Sequence, residues 1–126
     1  MTDSKFIDSS AWLSYFYATS EEIKSVIESN NILFTSSITI YEIKKKLTRD
    51  KIENIRLQRL IDFIKKRSLI INLDLEIAEK AVEISIKNSL HTTDALIYSS
   101  ALINNSILIT LDNDFRNLDK VIIIKN

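Results

Sequence analysis

The feature that most restricts the fold of this chain is the alternation of short, unbroken apolar runs with longer amphipathic segments. Lys5-Phe6-Ile7, Asn31 to Phe34, Leu69 to Leu73, Ile107 to Thr110 and Val121 to Ile124 each read as a short strand. Continuous apolar strands separated by helices imply a parallel sheet covered on both faces. We therefore expect an α/β fold: a central, mainly parallel sheet of four to five strands covered by helices. Helices are predicted over Ala11 to Tyr17, from a Thr19/Glu22 capping box to about Glu28, and from about Ile38 to Thr48 with Ile40, Ile43 and Leu47 on one lane. A longer one runs from Ile52 to Arg67, with Ile52, Ile55, Leu60, Phe63 and Ile64 inward. Another is capped by Asp74, with the stripe Ile77, Ala78, Ala81, Val82 and Ile84.

The segment from Leu90 to Leu102 stands apart. Ala95, Leu96, Tyr98, Ala101, Leu102 and Ile103 leave no clearly polar face, the mark of a buried helix. Yet Asp94 sits in its first turn, and the strand that follows ends in Thr110, Asp112 and Asp114. Asp8 ends the first strand, and Glu42 lies on the helix after the second, at the border of its packed face. Ligands of open α/β sheets bind outside the carboxyl ends of the strands. Asp8, Glu42, Asp94 and Asp112 are thus expected to converge on one rim.

Composition matters mainly through what it lacks. The chain has no glycine and no proline, which excludes every glycine-dependent phosphate loop. Turns must use Asn, Asp, Ser or Lys, with Asn30-Asn31 and Asn104-Asn105 expected in left-handed conformations. The absence of cysteine excludes disulfides and thiolate metal sites. A chain of 126 residues, 45% apolar and 27% charged, is expected to form one domain over residues 1–126 with a real core. Met1 to Lys5 lacks the basic start and apolar run of a signal peptide, and no apolar run approaches the ~18 residues of a membrane span. A cytoplasmic protein with no membrane contact is expected. Formal net charge is zero, which argues against a general nucleic-acid binder. Between Tyr41 and Ser68, however, ten basic side chains, Lys45 and Arg49 among them, stand against four acidic ones. Such a stretch suits solvated helix faces and, equally, a patch that attracts phosphates.

A cluster of carboxylates without histidine or cysteine suits hard cations, Mg²⁺ or Mn²⁺, rather than zinc. Four like charges at close range cannot all stay ionised without one, and such ions serve phosphodiester cleavage. Taken singly, each acid has a plainer reading: Asp94 as a first-turn acid complementing a helix dipole, Asp8 and Asp112 as turn residues, Glu42 as a surface glutamate. His91, just before the buried helix, reads as a polar loop residue, and the aromatics from Trp12 to Tyr17 as core or dimer surface.

Four pieces of the chain, in order, resemble the PIN-domain ribonucleases, in particular the VapC-type toxins of toxin–antitoxin pairs: Phe6-Ile7-Asp8-Ser9-Ser10, Ser37 to Ile43, Thr93 to Ile97, and Ile109 to Phe115. The resemblance implies a PIN-like three-layer sandwich and a metal-dependent endoribonuclease. Asp8, Glu42, Asp94 and Asp112 would be the acidic quartet holding Mg²⁺ or Mn²⁺. Asp8, Asp94 and Asp112 would ligate the principal ion, and Glu42 would serve a second ion or position the water. Thr110 falls on a Ser/Thr position that orients the site, and Ser10 on a small polar position often Asn in relatives. Asp114 matches a frequent extra acid, or else caps a helical turn beginning at Phe115. The resemblance further implies an RNA substrate, products with 5′-phosphate and 3′-hydroxyl, and a cognate antitoxin; a homodimer is also expected, and Lys45 and Arg49 would contact RNA. Two alternatives stand beside this reading: a catalytically silent PIN-like interaction domain, and a receiver-like phosphoacceptor module using Asp74.

Overall fold

Five parallel strands in the order β3-β2-β1-β4-β5 form the centre of the computed structural model, which describes residues 4–125. Met1 to Asp3, part of the stretch read for a signal peptide, lie outside the described residues. The strands are β1 (Ser4–Ile7), β2 (Ile32–Ser36), β3 (Leu69–Ile71), β4 (Ile107–Thr110) and β5 (Val121–Ile123). The helices are α1 (Ser9–Phe16), α2 (Glu21–Ile27), α3 (Ser37–Arg49), α4 (Asn54–Arg67), α5 (Leu75–Asn88) and α6 (Thr92–Ile103), and a 3-10 turn spans Asn113–Phe115. The predicted parallel, two-face-covered sheet is what forms, with five strands and all four pairings parallel.

Period-two alternation assigns the two faces. Ile7 and Ile109 point into a cluster with Ala11, Trp12, Ile23, Ile43 and Ile61, contributed by α1 to α4. Their neighbours Phe6 and Leu108 point the other way, into a cluster with Ala81, Ile84, Ala95, Tyr98 and Ala101 from α5 and α6. The result is three layers, helix, sheet and helix, and β1 and β4, at the centre of the sheet, bury Phe6, Ile7, Leu108 and Ile109 on its two faces. Helix α6 is buried as its all-round apolar character requires. Its buried hydroxyls are satisfied internally: Ser99 donates to Ile77 O at 2.8 Å, Ser100 to Leu96 O at 2.8 Å, and Tyr98 to Asp119 O at 2.7 Å.

Several local expectations are corrected. In α4 the buried lane is Leu57, Ile61 and Ile64, while Ile55 is 68% exposed. Phe63 lies at the rim, stacked on Tyr15 with ring centroids 5.6 Å apart. Val82 on α5 is also exposed. The cap of α2 is Ser20, which accepts from Ile23 N at 3.2 Å, one residue after the expected Thr19. Asn105 does adopt positive φ, but Asn30, Asn31 and Asn104 do not; Lys51, Ser89, Asn117 and Lys120, of the residue types expected in turns, do, and so does Ala18, which is not of those types. The turn between α2 and β2 is held instead by Arg67, whose guanidinium donates to Ile27 O at 2.6 Å, Ser29 O at 2.9 Å and Asn31 O at 3.3 Å. Asp74 caps α5, accepting from Ile77 N at 2.9 Å, as expected. No helix among the described residues is long and apolar enough to cross a membrane.

Candidate active site

β2 lies on one side of β1 and β4 on the other, so the connections reverse direction at β1. A crevice opens at such a switch point, beyond the carboxyl ends of the strands. Asp8 follows β1 and Asp112 follows β4. Helix α3 leaves the same edge and carries Glu42 on its second turn. Because α6 precedes β4, its N-terminus returns to this edge, bringing Asp94 with it.

Asp8 is only 5% exposed, and both its oxygens are engaged. Oδ1 caps α1, accepting from Ala11 N at 3.1 Å, and also accepts from Ser10 Oγ at 2.6 Å; Oδ2 accepts from Thr110 Oγ1 at 2.5 Å. Thr110 Oγ1 accepts in turn from Asp112 N at 2.9 Å, Asp112 Oδ1 from Asp114 N at 2.8 Å, and Ser10 Oγ from Leu111 N at 2.9 Å. One chain of hydrogen bonds therefore ties the end of β1 to the turn after β4, with Thr110 as its central link. Burial holds the Asp8 carboxyl above its ordinary range, against the opposing pull of the bonds from Ser10, Thr110 and Ala11.

The remaining carboxylates repel one another. Asp94, Asp112 and Asp114 each offer an oxygen within 4.8 Å of the others. Burial, followed by the charges of Asp112, Asp114 and Asp8, pushes the Asp94 carboxyl up to about 6, with His91 opposing. Glu42 is pushed up to about 7 by burial first and then by Asp8; Asp94 and Asp112 add to this, and the Ser9 hydroxyl opposes it. Glu42 Oε1 is buried with no hydrogen-bond partner. An unpaired buried acceptor beside converging carboxylates is costly unless a cation completes it. The donors are all oxygens, which fits a hard divalent ion.

The four predicted acids thus share one rim and feel each other's charge. The tight group of three comprises Asp94, Asp112 and Asp114, with Asp8 and Glu42 outside it. Asp114 belongs to that group and is not the cap of a turn beginning at Phe115; Asp112 caps the turn Asn113–Phe115. Lys45 and Arg49 share a face of α3 with Glu42 and line, with Tyr41, Thr93 and Leu73, an open cleft of about 520 Å³. Ser9 was not singled out in the sequence, although its place beside Asp8 is a usable signal. Arg116 was not singled out either; a lone arginine after a polar turn carries none.

A family model of the PIN domain matches residues 5–121. The chain belongs to the PIN-domain family. That assignment sets aside the receiver-like alternative, and Asp74 is accounted for as a helix cap. This PIN domain is similar to a toxin–antitoxin complex chain from Klebsiella pneumoniae, at 22% identity and a TM-score of 0.79 over 97% of this chain and 99% of that one. It is similar at 18% identity to a chain of VapBC2 from Rickettsia felis bound to a promoter DNA fragment, with a TM-score of 0.79 over 97% and 98% of the two chains. VapC20 from Mycobacterium tuberculosis, a toxin that cleaves the sarcin–ricin loop, aligns at 14% identity with a TM-score of 0.75 over 97% and 99%. At these identities the likeness is one of fold. No curated protein sequence matches the chain significantly.

Proposed function

We propose that this PIN domain is a metal-dependent endoribonuclease and the toxin of a toxin–antitoxin pair. The observation that carries the reading is the meeting of three carboxylates within 4.8 Å, beside the buried, unpartnered Oε1 of Glu42, at the switch point of the sheet. Asp8, Asp94, Asp112 and Glu42 would hold Mg²⁺ or Mn²⁺, with Asp114 bound directly or through water. When bound, such an ion supplies Lewis acidity that activates water and offsets charge on the phosphate oxygens. The chain's own groups do the rest. Asp8, Ser10 and Thr110 hold the ends of β1 and β4 in register, and Glu42 Oε1 would orient a water on its side of the group. Lys45 and Arg49 would draw RNA phosphates toward an otherwise repulsive acidic centre. Cleavage would leave 5′-phosphate and 3′-hydroxyl ends, in the cytoplasm.

Three similar folds come from toxin–antitoxin systems, which supports an antitoxin as partner. The half-exposed aromatics Tyr15, Phe16 and Phe63 border a groove of about 460 Å³ between α1, α2 and α4 that suits an apolar antitoxin segment. Leu75, Val82 and Ile86, each more than half exposed on α5, offer surface for a homodimer.

The test is Asp94→Asn, which removes a charge but keeps the shape. Circular dichroism and RNA cleavage are measured on one preparation: an unchanged spectrum with cleavage lost is expected. Wild-type turnover by the variant would refute the assignment. Metal binding by the wild type without any cleavage would favour the silent interaction domain.

A further inference from the structure

The acidic rim has a second mouth. On the side away from Lys45 and Arg49, a pocket of about 370 Å³ is lined by Asn88, Ser89, His91, Asp94, Arg116 and Asn117, together with Asp114 and Leu90. Its walls are two tight turns. One follows α5, where Ser89 takes φ 53°, and the other follows the 3-10 turn, where Asn117 takes φ 66°. Thr93 lines the first cleft and Asp94 the second, so the first turn of α6 stands between them; Asp94 and Asp114 of the tight acidic group open into the second, and Glu42 into the first. Both spaces are of the size that holds a small organic ligand. Lys45 and Arg49 in the first cleft and Arg116 in the second have no acidic partner among the described residues, where the only ion pair is Lys46 with Asp50. Arg116 is exposed and held by a single 3.3 Å bond to Asn113 O, leaving most of its guanidinium donors free. His91 begins α6 without capping it through its side chain.

Resting on the nuclease reading, we propose that single-stranded RNA crosses the acidic group from one cleft to the other. Arg116 and His91 would bind the phosphate and base on one flank of the scissile bond, and Lys45 and Arg49 the phosphates on the opposite flank. A cation on one side only would hold an RNA end. Cations on both sides hold a strand in mid-chain, which is what an endonuclease requires. The amide of Asn117, and the oxygen of Asn88, whose nitrogen already donates to Ile84 O at 3.2 Å, can meet a base edge, so specificity would reside on this flank.

The experiment uses short single-stranded RNAs carrying thiouridine at one position on either side of a central site. They are irradiated briefly after mixing with the full chain in Mg²⁺, and the crosslinked peptides are mapped. Probes on one flank should link to residues 88–91 or 116–117, and probes on the other to residues 41–49. Arg116→Ala, at an exposed position the core does not depend on, should weaken affinity and reduce the slope of log affinity against log salt by about 0.7, the share of one single-strand phosphate contact. Both flanks linking within one cleft, or an unchanged salt slope in Arg116→Ala, would overturn the two-sided path. The expected crosslinks without cleavage would reject the nuclease reading alone. Absence of RNA binding would reject both.

Discussion

Removing the charge of Glu42 should make the ion-free protein more stable. In the folded chain the carboxyl is pushed up from 4.5 to about 7, by burial first and then by Asp8, Asp94 and Asp112. Below about pH 4.5 the group is protonated in both folded and unfolded chains, so Glu42→Gln changes little. Between 4.5 and 7 the unfolded chain gives up its proton while the folded one keeps it, so the wild type loses stability relative to the variant as pH rises. Above about pH 7 the difference is complete. At ~1.36 kcal/mol for each pH unit, the ceiling is about 3 kcal/mol. Glu42 is only half-buried, and solvent screening reduces this to about 1–2 kcal/mol. In a chain of this length that is about 3–8 °C in Tm. Thermal melts of both proteins in chelator, from pH 4 to 8, should coincide at the acid end and diverge above pH 6, with Glu42→Gln melting higher. Saturating Mg²⁺ should stabilise the wild type more than the variant and close the gap, since the ion binds only the folded state. A variant that melts at or below the wild type at pH 8 in chelator would refute the argument.

Two further variants probe the scaffold and the RNA path. Arg67→Ala should cost about 2–3 kcal/mol in chemical denaturation, because three carbonyls at the α2–β2 turn lose a charged donor; a loss under 0.5 kcal/mol would contradict this. Neutralising Lys45 and Arg49 together should weaken RNA binding across sequences and lower the salt slope by about 1.4, with Mg²⁺ affinity nearly unchanged. An unchanged slope alongside lost antitoxin binding would make this face a partner clamp instead.

The parts of this fold legible in the sequence were those in which one residue property has one structural outcome. Unbroken apolar runs marked all five strands, whether at the centre of the sheet, as Ile107–Ile109, or at its edges, where Leu69 and Ile122 are partly exposed. An all-round apolar helix with an acid in its first turn fits only a buried helix opening onto a rim. Asp74 before an apolar stripe was read correctly as a cap. Where two lanes of a helix are both apolar, periodicity cannot choose between them, and α4 turned Leu57 and Ile61 inward while leaving Ile55 in solvent. Left-handed turns were legible by residue type more than by position: without glycine they fall on Lys51, Ser89, Asn105, Asn117 and Lys120, types expected in turns, but only Asn105 was placed, and Ala18 gives no warning. In the site, the approach of Asp8, Glu42, Asp94 and Asp112 follows from strand ends and helix starts. The bond from Thr110 to Asp8 and the lining of the second pocket by Arg116 depend on strand order, which propensity does not encode.

The central claim, that this rim of carboxylates cuts RNA only when it holds a divalent ion, is tested most directly by one titration. Wild-type protein stripped with chelator and assayed on single-stranded RNA should be inactive, and Mg²⁺ or Mn²⁺ should restore cleavage along a saturable curve. Cleavage that persists undiminished in excess chelator would contradict the account.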